Sequence, residues 1–267
     1  MSAQPNIVLI GCGKMGGALL QGWLDQNIDA NFSVIEPHDI SITEITHHKT
    51  VEAAAKDLKS AALIVLAVKP QTMATLCTEL KNHINEDTTI LSIAAGQSLT
   101  RFSQYFAPTQ PVIRAMPNTP AAIGKGMSIA VANKHTSQSA KALAETLLKT
   151  AGKFEWTDDE SLLDAVTALS GSGPAYVFYL IEMLEKAGNK AGLPIEMATT
   201  LARQTVIGAA ALAEAQSEIP AKTLRKNVTS PGGTTAAALE ILMDGRTQNL
   251  FNEALQAATA RSRELNS

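Results

Sequence analysis

The sequence predicts an α/β domain built on a mostly parallel sheet, followed by an all-helical domain. Three observations lead there. Through the first half, short apolar runs alternate with segments of helical period, the pattern of a parallel sheet covered by helices. A glycine-spaced turn, Gly11-Cys12-Gly13-Lys14-Met15-Gly16, stands between the first apolar run and the first helical segment. From about residue 158 the strand signals stop and long Ala/Leu-rich stretches take over. The expected domains are therefore 1–157 and 158–267.

In chain order, the apolar run 6–10 reads as the first strand and 14–26 as a helix behind it. Residues 32–36 read as the second strand. The continuous apolar run 63–68 suits a strand buried on both faces, and 89–94 repeats it. Later strand candidates are 111–115 and 127–132, with helical periodicity over 71–83 and 137–150. Beyond the boundary, 160–169, 174–187, 195–216, 231–243 and 247–265 read as helices. Gly188, Gly192-Leu193-Pro194 and 217–220 supply the turns. Small residues crowd 209–215 and 254–260, so helices can approach closely there; either an ordinary helical core or a symmetric dimer packed through such helices would use them.

Composition narrows the class. With 267 residues, 45% of them hydrophobic, the chain can bury a substantial core. A net charge of -3 gives no electrostatic footprint for nucleic acid or anionic lipid. No apolar run reaches the roughly 20 residues that span a bilayer. The N-terminus lacks the basic region of a secretory signal, so a cytoplasmic protein is expected. Cys12 and Cys77 have no metal-ligand spacing and form no disulfide framework.

The glycine turn has the form of a dinucleotide site. Gly11 closes an apolar strand and permits the tight turn, Gly13 lets the backbone approach a pyrophosphate, and Gly16 allows close helix–strand packing. Lys14 and Met15 open the helix whose N-terminus would face the phosphates. Glu36 follows Gly16 by 20 residues, at the end of the second strand. A carboxylate there accepts from a ribose 2′-hydroxyl and repels a 2′-phosphate, which favours NADH; a solvated strand-end charge is the alternative. The choice between NAD(H) and NADP(H) stays open. Val68, Lys69 and Pro70 end a buried strand, where ligands of open α/β sheets collect, so this turn should flank the cofactor. Asn118 and Thr119, in the proline-restricted Arg114-Ala115-Met116-Pro117-Asn118-Thr119-Pro120, either hydrogen-bond ligand or cap the next segment.

Two Gly/Ser/Thr-rich segments lie further on: Ser170-Gly171-Ser172-Gly173-Pro174-Ala175-Tyr176 and Thr229-Ser230-Pro231-Gly232-Gly233-Thr234-Thr235. Each runs into a helical stretch, so N–H groups, hydroxyls and a positive dipole end form a ready site for a small carboxylate. Ser172 either caps the helix that Gly173 and Pro174 begin or faces the nicotinamide. A metal site has no support.

Taken with Gly11–Gly16, Ala67-Val68-Lys69-Pro70-Gln71 and the Arg114–Pro120 segment, the extended motifs Leu169–Tyr176 and Asn227–Thr235 make the chain resemble the pyrroline-5-carboxylate reductases over its full length. The resemblance implies a Rossmann domain followed by a helical dimerisation domain, with the active site at the dimer interface. It implies reduction of 1-pyrroline-5-carboxylate, a cyclic imine carboxylate, to L-proline with NADPH or NADH. The family pattern places Thr235, as the catalytic residue, near the substrate nitrogen; Ser230, Gly232, Gly233 and Thr234 complete the expected substrate site, and Asn227 and Val228 either touch the substrate or only shape the loop. The N–H groups of Gly232, Gly233 and Thr234 suit the carboxylate, while Ser230 or Thr235 can also cap the helix. The competing β-hydroxyacid dehydrogenase pattern needs a lysine where this chain has Val177 and an asparagine where it has Ile181. A reductase of another cyclic imine, or a non-catalytic dinucleotide sensor, are the remaining alternatives.

Overall fold

The computed structural model describes residues 4–42 and 44–266; the outermost ends of the two expected domains, 1–3 and 267, lie outside the described residues. The chain forms two compact units. One runs through Ser172 and takes in Ala258 onward, and the other is Gly173–Ala257.

The first unit is an eight-stranded sheet flanked by helices. Its strands are β1 (Asn6–Ile10), β2 (Asn31–Ile35), β3 (Thr46–His48), β4 (Ala61–Leu66), β5 (Thr89–Ser92), β6 (Val112–Met116), β7 (Gly126–Ala132) and β8 (Gly152–Trp156). Their order is β3-β2-β1-β4-β5-β6-β7-β8. Every neighbouring pair is parallel except β6–β7. The chain steps outward from β1 to β3 and then returns to the other side of β1 with β4. The order thus reverses beside β1, which makes the carboxyl ends of β1 and β4 the switch point where ligands of such sheets bind.

Alternation along β1 fixes both layers of the core. Ile7 and Leu9 pack with Leu19, Leu20 and Trp23 of α1 (Lys14–Asp25). Val8 and Ile10 face Leu58 of α2 (Ala55–Ser60), Met73 and Leu80 of α3 (Met73–Leu80) and Phe102 of α4 (Leu99–Tyr105). Trp23 stacks on Phe32 at 5.3 Å between ring centroids. Its indole N–H donates to the Leu147 carbonyl of α5 (Gln138–Lys149) at 3.0 Å, so its buried polar atom has a partner. Ser98 and Ser137 cap α4 and α5, as hydroxyls before helices do.

In the first unit, four strands and α-helices were not expected from the sequence: β3, α2, α4 and β8. The first three are too short to show a period, at 3, 6 and 7 residues. The last, Gly152–Trp156, alternates Lys153 and Glu155 with Phe154 and Trp156 and follows α5 after two residues.

The expected helix 160–169 is instead three short pieces. A 3-10 turn (Glu160–Leu162) leads into α6 (Leu163–Val166) and then a π-turn (Thr167–Gly171). The Thr167 hydroxyl donates to Leu163 O at 2.7 Å, while Ser172 N reaches back five residues to Thr167 O at 2.9 Å. Such widened turns occur frequently at functional sites. Glu160 anchors this segment: one carboxylate oxygen accepts from Leu99 N at 2.8 Å and from Arg114 Nη1 at 3.0 Å. The Arg114 side chain is only 5% exposed, so the Glu160 carboxylate helps to compensate a charge held away from water. Replacing Glu160 by Ala should cost about 2–4 kcal/mol, toward the lower end because Glu160 itself is partly exposed. Urea denaturation of the variant checks this; a loss under about 0.5 kcal/mol would show that the pair contributes no more than an ordinary surface contact.

The second unit is helical: α7 (Gly173–Lys190), α8 (Ile195–Ala215), α9 (Ala221–Asn227), α10 (Thr234–Leu242) and most of α11 (Arg246–Asn266). Pro174 sits in the first turn of α7, where its missing N–H costs nothing. The α7–α8 hairpin turns through Gly192 at φ +101°, with Leu193 N bonded back to Gly188 O. Gly188 lets α8 come close, since a Cβ there would stand 3.3 Å from that of Ala198. Among the described residues of this unit only Ala198 and Ala202 are buried. Phe178, Tyr179, Met183, Leu201, Ile207 and Phe251 all remain exposed.

The end of α11 belongs to the first unit. Ser262 is buried there, and its hydroxyl donates to Asp164 Oδ1 at 2.7 Å. Leu265 lies on Gly96, where an added Cβ would stand 2.9 Å from the Leu265 carbonyl oxygen.

Candidate active site

The β1–α1 turn is built backbone on backbone. Gly11 has φ +91°, and a Cβ there would stand 2.8 Å from the Ala67 carbonyl oxygen. A Cβ on Gly16 would run into the Gly11 carbonyl, so the helix can begin where it does only with glycine. Gly13 differs: an added Cβ would meet nothing within 4 Å. Gly13 is also the N-cap of α1, with no side-chain cap and no acidic residue in the first turn. The N–H groups of Lys14 and Met15 lack intrahelical acceptors and lie at the positive end of the dipole. An open space over uncapped N–H groups, at the sheet's switch point, fits a pyrophosphate.

Beside it, β4 passes into Ala67 and Val68. A Cβ added at Gly11 would approach Val68 Cγ1 at 3.1 Å, so this turn lines the glycine loop. Lys69 is exposed, and its carbonyl accepts from both the N–H and the hydroxyl of Thr72, closing the 3-10 turn that Pro70 begins.

Glu36 is neither solvated nor aimed away. Its Oε2 accepts from Cys12 N at 2.9 Å, inside the glycine turn. Its Oε1 accepts from His38 N at 3.2 Å and lies 2.9 Å from His38 Nδ1. Burial pushes its pKa up, but these hydrogen bonds outweigh burial and hold the carboxyl below its ordinary range. Burial, then the Glu36 charge, raises the Cys12 thiol, and burial alone takes Cys77 to about 12, so neither is poised as a nucleophile.

Asn118 is engaged within the protein. Its Nδ2 donates to both the carbonyl and the hydroxyl of Ser170 at 3.2 Å, and its Oδ1 accepts from Met127 N at 2.8 Å. It does not cap the following turn by a side-chain bond. Gly171 packs beneath, where a Cβ would stand 2.6 Å from Met116 Cε. Asn118 therefore ties the end of β6 and the start of β7 to the π-turn.

In the helical unit, Ser230-Pro231-Gly232-Gly233 forms a tight turn. Gly233 N donates to Ser230 O at 3.0 Å, and Gly232 has φ +70° in the position that demands glycine. The Gly233 N–H expected to meet a carboxylate is thus used within the chain. Gly233 is the N-cap of α10, so neither Ser230 nor Thr235 caps that helix. The groups without intrahelical acceptors are the N–H groups of Thr234, Thr235 and Ala236. Asn227 ends α9 and Val228 follows it, 62% exposed. Thr229 closes the helix end by donating to Arg225 O at 2.7 Å.

Family models match both parts of the chain: "NADP oxidoreductase coenzyme F420-dependent" over residues 6–96 and "Pyrroline-5-carboxylate reductase dimerisation" over residues 160–265. The chain is 39% identical over 265 residues to a pyrroline-5-carboxylate reductase of Pseudomonas aeruginosa, covering 98% of this chain and 97% of the relative. The chain belongs to the pyrroline-5-carboxylate reductase family. Solved structures agree with that membership. A pyrroline-5-carboxylate reductase from Coxiella burnetii superposes with a TM-score of 0.92 at 33% identity, covering 99% of both chains. A Plasmodium falciparum pyrroline carboxylate reductase with NADP bound superposes with a TM-score of 0.85 at 28% identity, again covering 99% of both.

Within this reductase-family chain, three participants escaped the sequence reading. Cys12 contributes its backbone N–H to Glu36, which no side-chain pattern announces. His38 belongs to no motif, yet its N–H and ring both face Glu36. Ser170 receives Asn118 across 52 residues of sequence, a pairing set by the fold alone.

Proposed function

We propose that this protein reduces 1-pyrroline-5-carboxylate to L-proline with NADPH or NADH, completing proline biosynthesis. The observation that supports it most is the uncapped start of α10 behind the Ser230–Gly233 turn, in a reductase-family chain that also carries the open glycine turn at Gly13.

Gly11, Gly13, Lys14, Met15 and Gly16 would hold the pyrophosphate, with Glu36 at the ribose and Val68, Lys69 and Pro70 beside them. Ser172, after the π-turn, and Pro174, in the first turn of α7, complete the proposed cofactor set, while Asn118 serves it by positioning the π-turn. When bound, the reduced nicotinamide supplies a hydride to the C=N carbon. Thr234 and Thr235 take the substrate carboxylate on their N–H groups, and Asn227, Val228, Ser230, Gly232 and Gly233 shape the loop around it. The Thr235 hydroxyl orients the ring nitrogen. Its pKa is too high for general-acid work near neutrality, so the nitrogen's proton comes from water or arrives with the substrate. Catalysis then rests mostly on alignment.

The same reading assigns 1–157 to the dinucleotide and 158–267 to substrate and dimerisation. The exposed Phe178, Tyr179, Met183 and Phe251 support a homo-oligomer, because a monomer rarely leaves that much large apolar surface in water. Among the described residues, no helix is long and apolar enough to cross a membrane; a cytoplasmic location is part of the proposal. Incubation with 1-pyrroline-5-carboxylate and either reduced cofactor should consume the cofactor and yield L-proline. Tight dinucleotide binding without turnover would sink the assignment.

A further inference from the structure

We propose that Glu36, locked against the glycine turn, makes this chain select NADH over NADPH. The inference rests on the dinucleotide reading of the Gly11–Gly16 turn and adds which of the two cofactors that site prefers.

In this sheet the ribose attached to adenine belongs at the carboxyl end of β2, next to the turn that takes the pyrophosphate. Glu36 directly follows β2, and its side chain is only 16% exposed. Two of its three hydrogen-bonded contacts are backbone N–H groups, those of Cys12 and His38, so the carboxylate cannot swing away without leaving them unpaired. A carboxylate offers about four acceptor positions. Oε1 uses two on His38, while Oε2 takes Cys12 N and keeps capacity for a ribose hydroxyl. A 2′-phosphate would bring about two further negative charges against a fixed anion at short range.

The basic groups that follow Glu36 do not offset this. His38 Nδ1 lies against Glu36 itself, and His47 Nε2 is 2.8 Å from the Glu36 carbonyl oxygen. His48 pairs with Asp57 and Lys49 with Asp39. The first arginine of the sequence is Arg101, far beyond this edge in the chain. The preference is not inherited from the relatives, one of which binds NADP.

The test is equilibrium binding of NADH and of NADPH, each followed by its own nicotinamide fluorescence. The full-length protein should bind NADH at least about tenfold more tightly than NADPH. Glu36→Gln keeps an acceptor for Cys12 N while removing the charge, and should shrink that ratio several-fold; Glu36→Ser should shrink it at least as much. Equal or tighter binding of NADPH by the unaltered protein, or a ratio unchanged in Glu36→Gln, would overturn the proposal. Turnover of 1-pyrroline-5-carboxylate is measured separately: its absence counts against the proposed function, while the binding ratio still decides the role of Glu36.

Discussion

Gly13→Val is expected to raise the dissociation constant for either nicotinamide cofactor by roughly 100-fold or more while leaving the fold in place. The three glycines of the turn are not equivalent, and this substitution separates them. Gly11 needs its positive φ and sits against the Ala67 carbonyl, and Gly16 sits against the Gly11 carbonyl. Side chains at those two positions would damage the protein whether or not it binds anything. At Gly13 the backbone is extended at φ -73°, ψ -161°, which valine tolerates, and no protein atom stands within 4 Å of its Cβ. The cost to the fold should be that of a poor N-cap, about 1 kcal/mol. The branched side chain would instead fill the space in front of the Lys14 and Met15 N–H groups. Thermal unfolding and a fluorescence titration read the two effects apart. Undiminished cofactor affinity would remove this turn from the cofactor site.

Thr235→Ala should lower kcat/KM for 1-pyrroline-5-carboxylate by roughly 100-fold, the scale of losing one hydrogen-bond donor that acts on the reacting group. Cofactor affinity should stay within a factor of about two, because the hydroxyl is assigned to the substrate. Gly233, not Thr235, is the N-cap of α10, so loss of the hydroxyl should not cost the energy of a cap. A fall in activity can therefore be read as chemistry. Thr235→Ser, which retains the hydroxyl, should recover most of the rate. Full activity in the alanine variant would take Thr235 out of the mechanism.

The parts of this molecule that the sequence made legible are those with long local signals. The strand–glycine–helix passage from Asn6 to Asp25 is readable because glycine spacing, apolar run and helical period all agree over about twenty residues. Tertiary bonds of single residues were not readable. The widened turn at Thr167–Gly171 depends on Thr167 bonding back to Leu163 and on Asn118 reaching Ser170, and neither leaves a periodic trace. At the Ser230–Gly233 turn the motif was legible but its wiring was not. Proline followed by two glycines announces the turn, yet the turn's own hydrogen bond occupies the Gly233 N–H that was expected to meet a carboxylate. Glu36 stood at the expected position, while the groups that hold it are mostly backbone and therefore invisible to residue type.

The return of α11 to the first unit has a consequence for how the protein is made. The loop at Gly96 and the carboxylate of Asp164 are covered by Leu265 and Ser262, which a ribosome adds well after Ser172. At ordinary translation speeds, on the order of ten seconds separate the emergence of Ser172 from that of Leu265. During that interval the nucleotide-binding unit lacks its final layer, while the helices that follow Gly173 are already leaving the tunnel. Maturation of the two units is thereby linked in time. A segment fused directly beyond α11 would bear first on the nucleotide-binding unit, to which the end of that helix belongs.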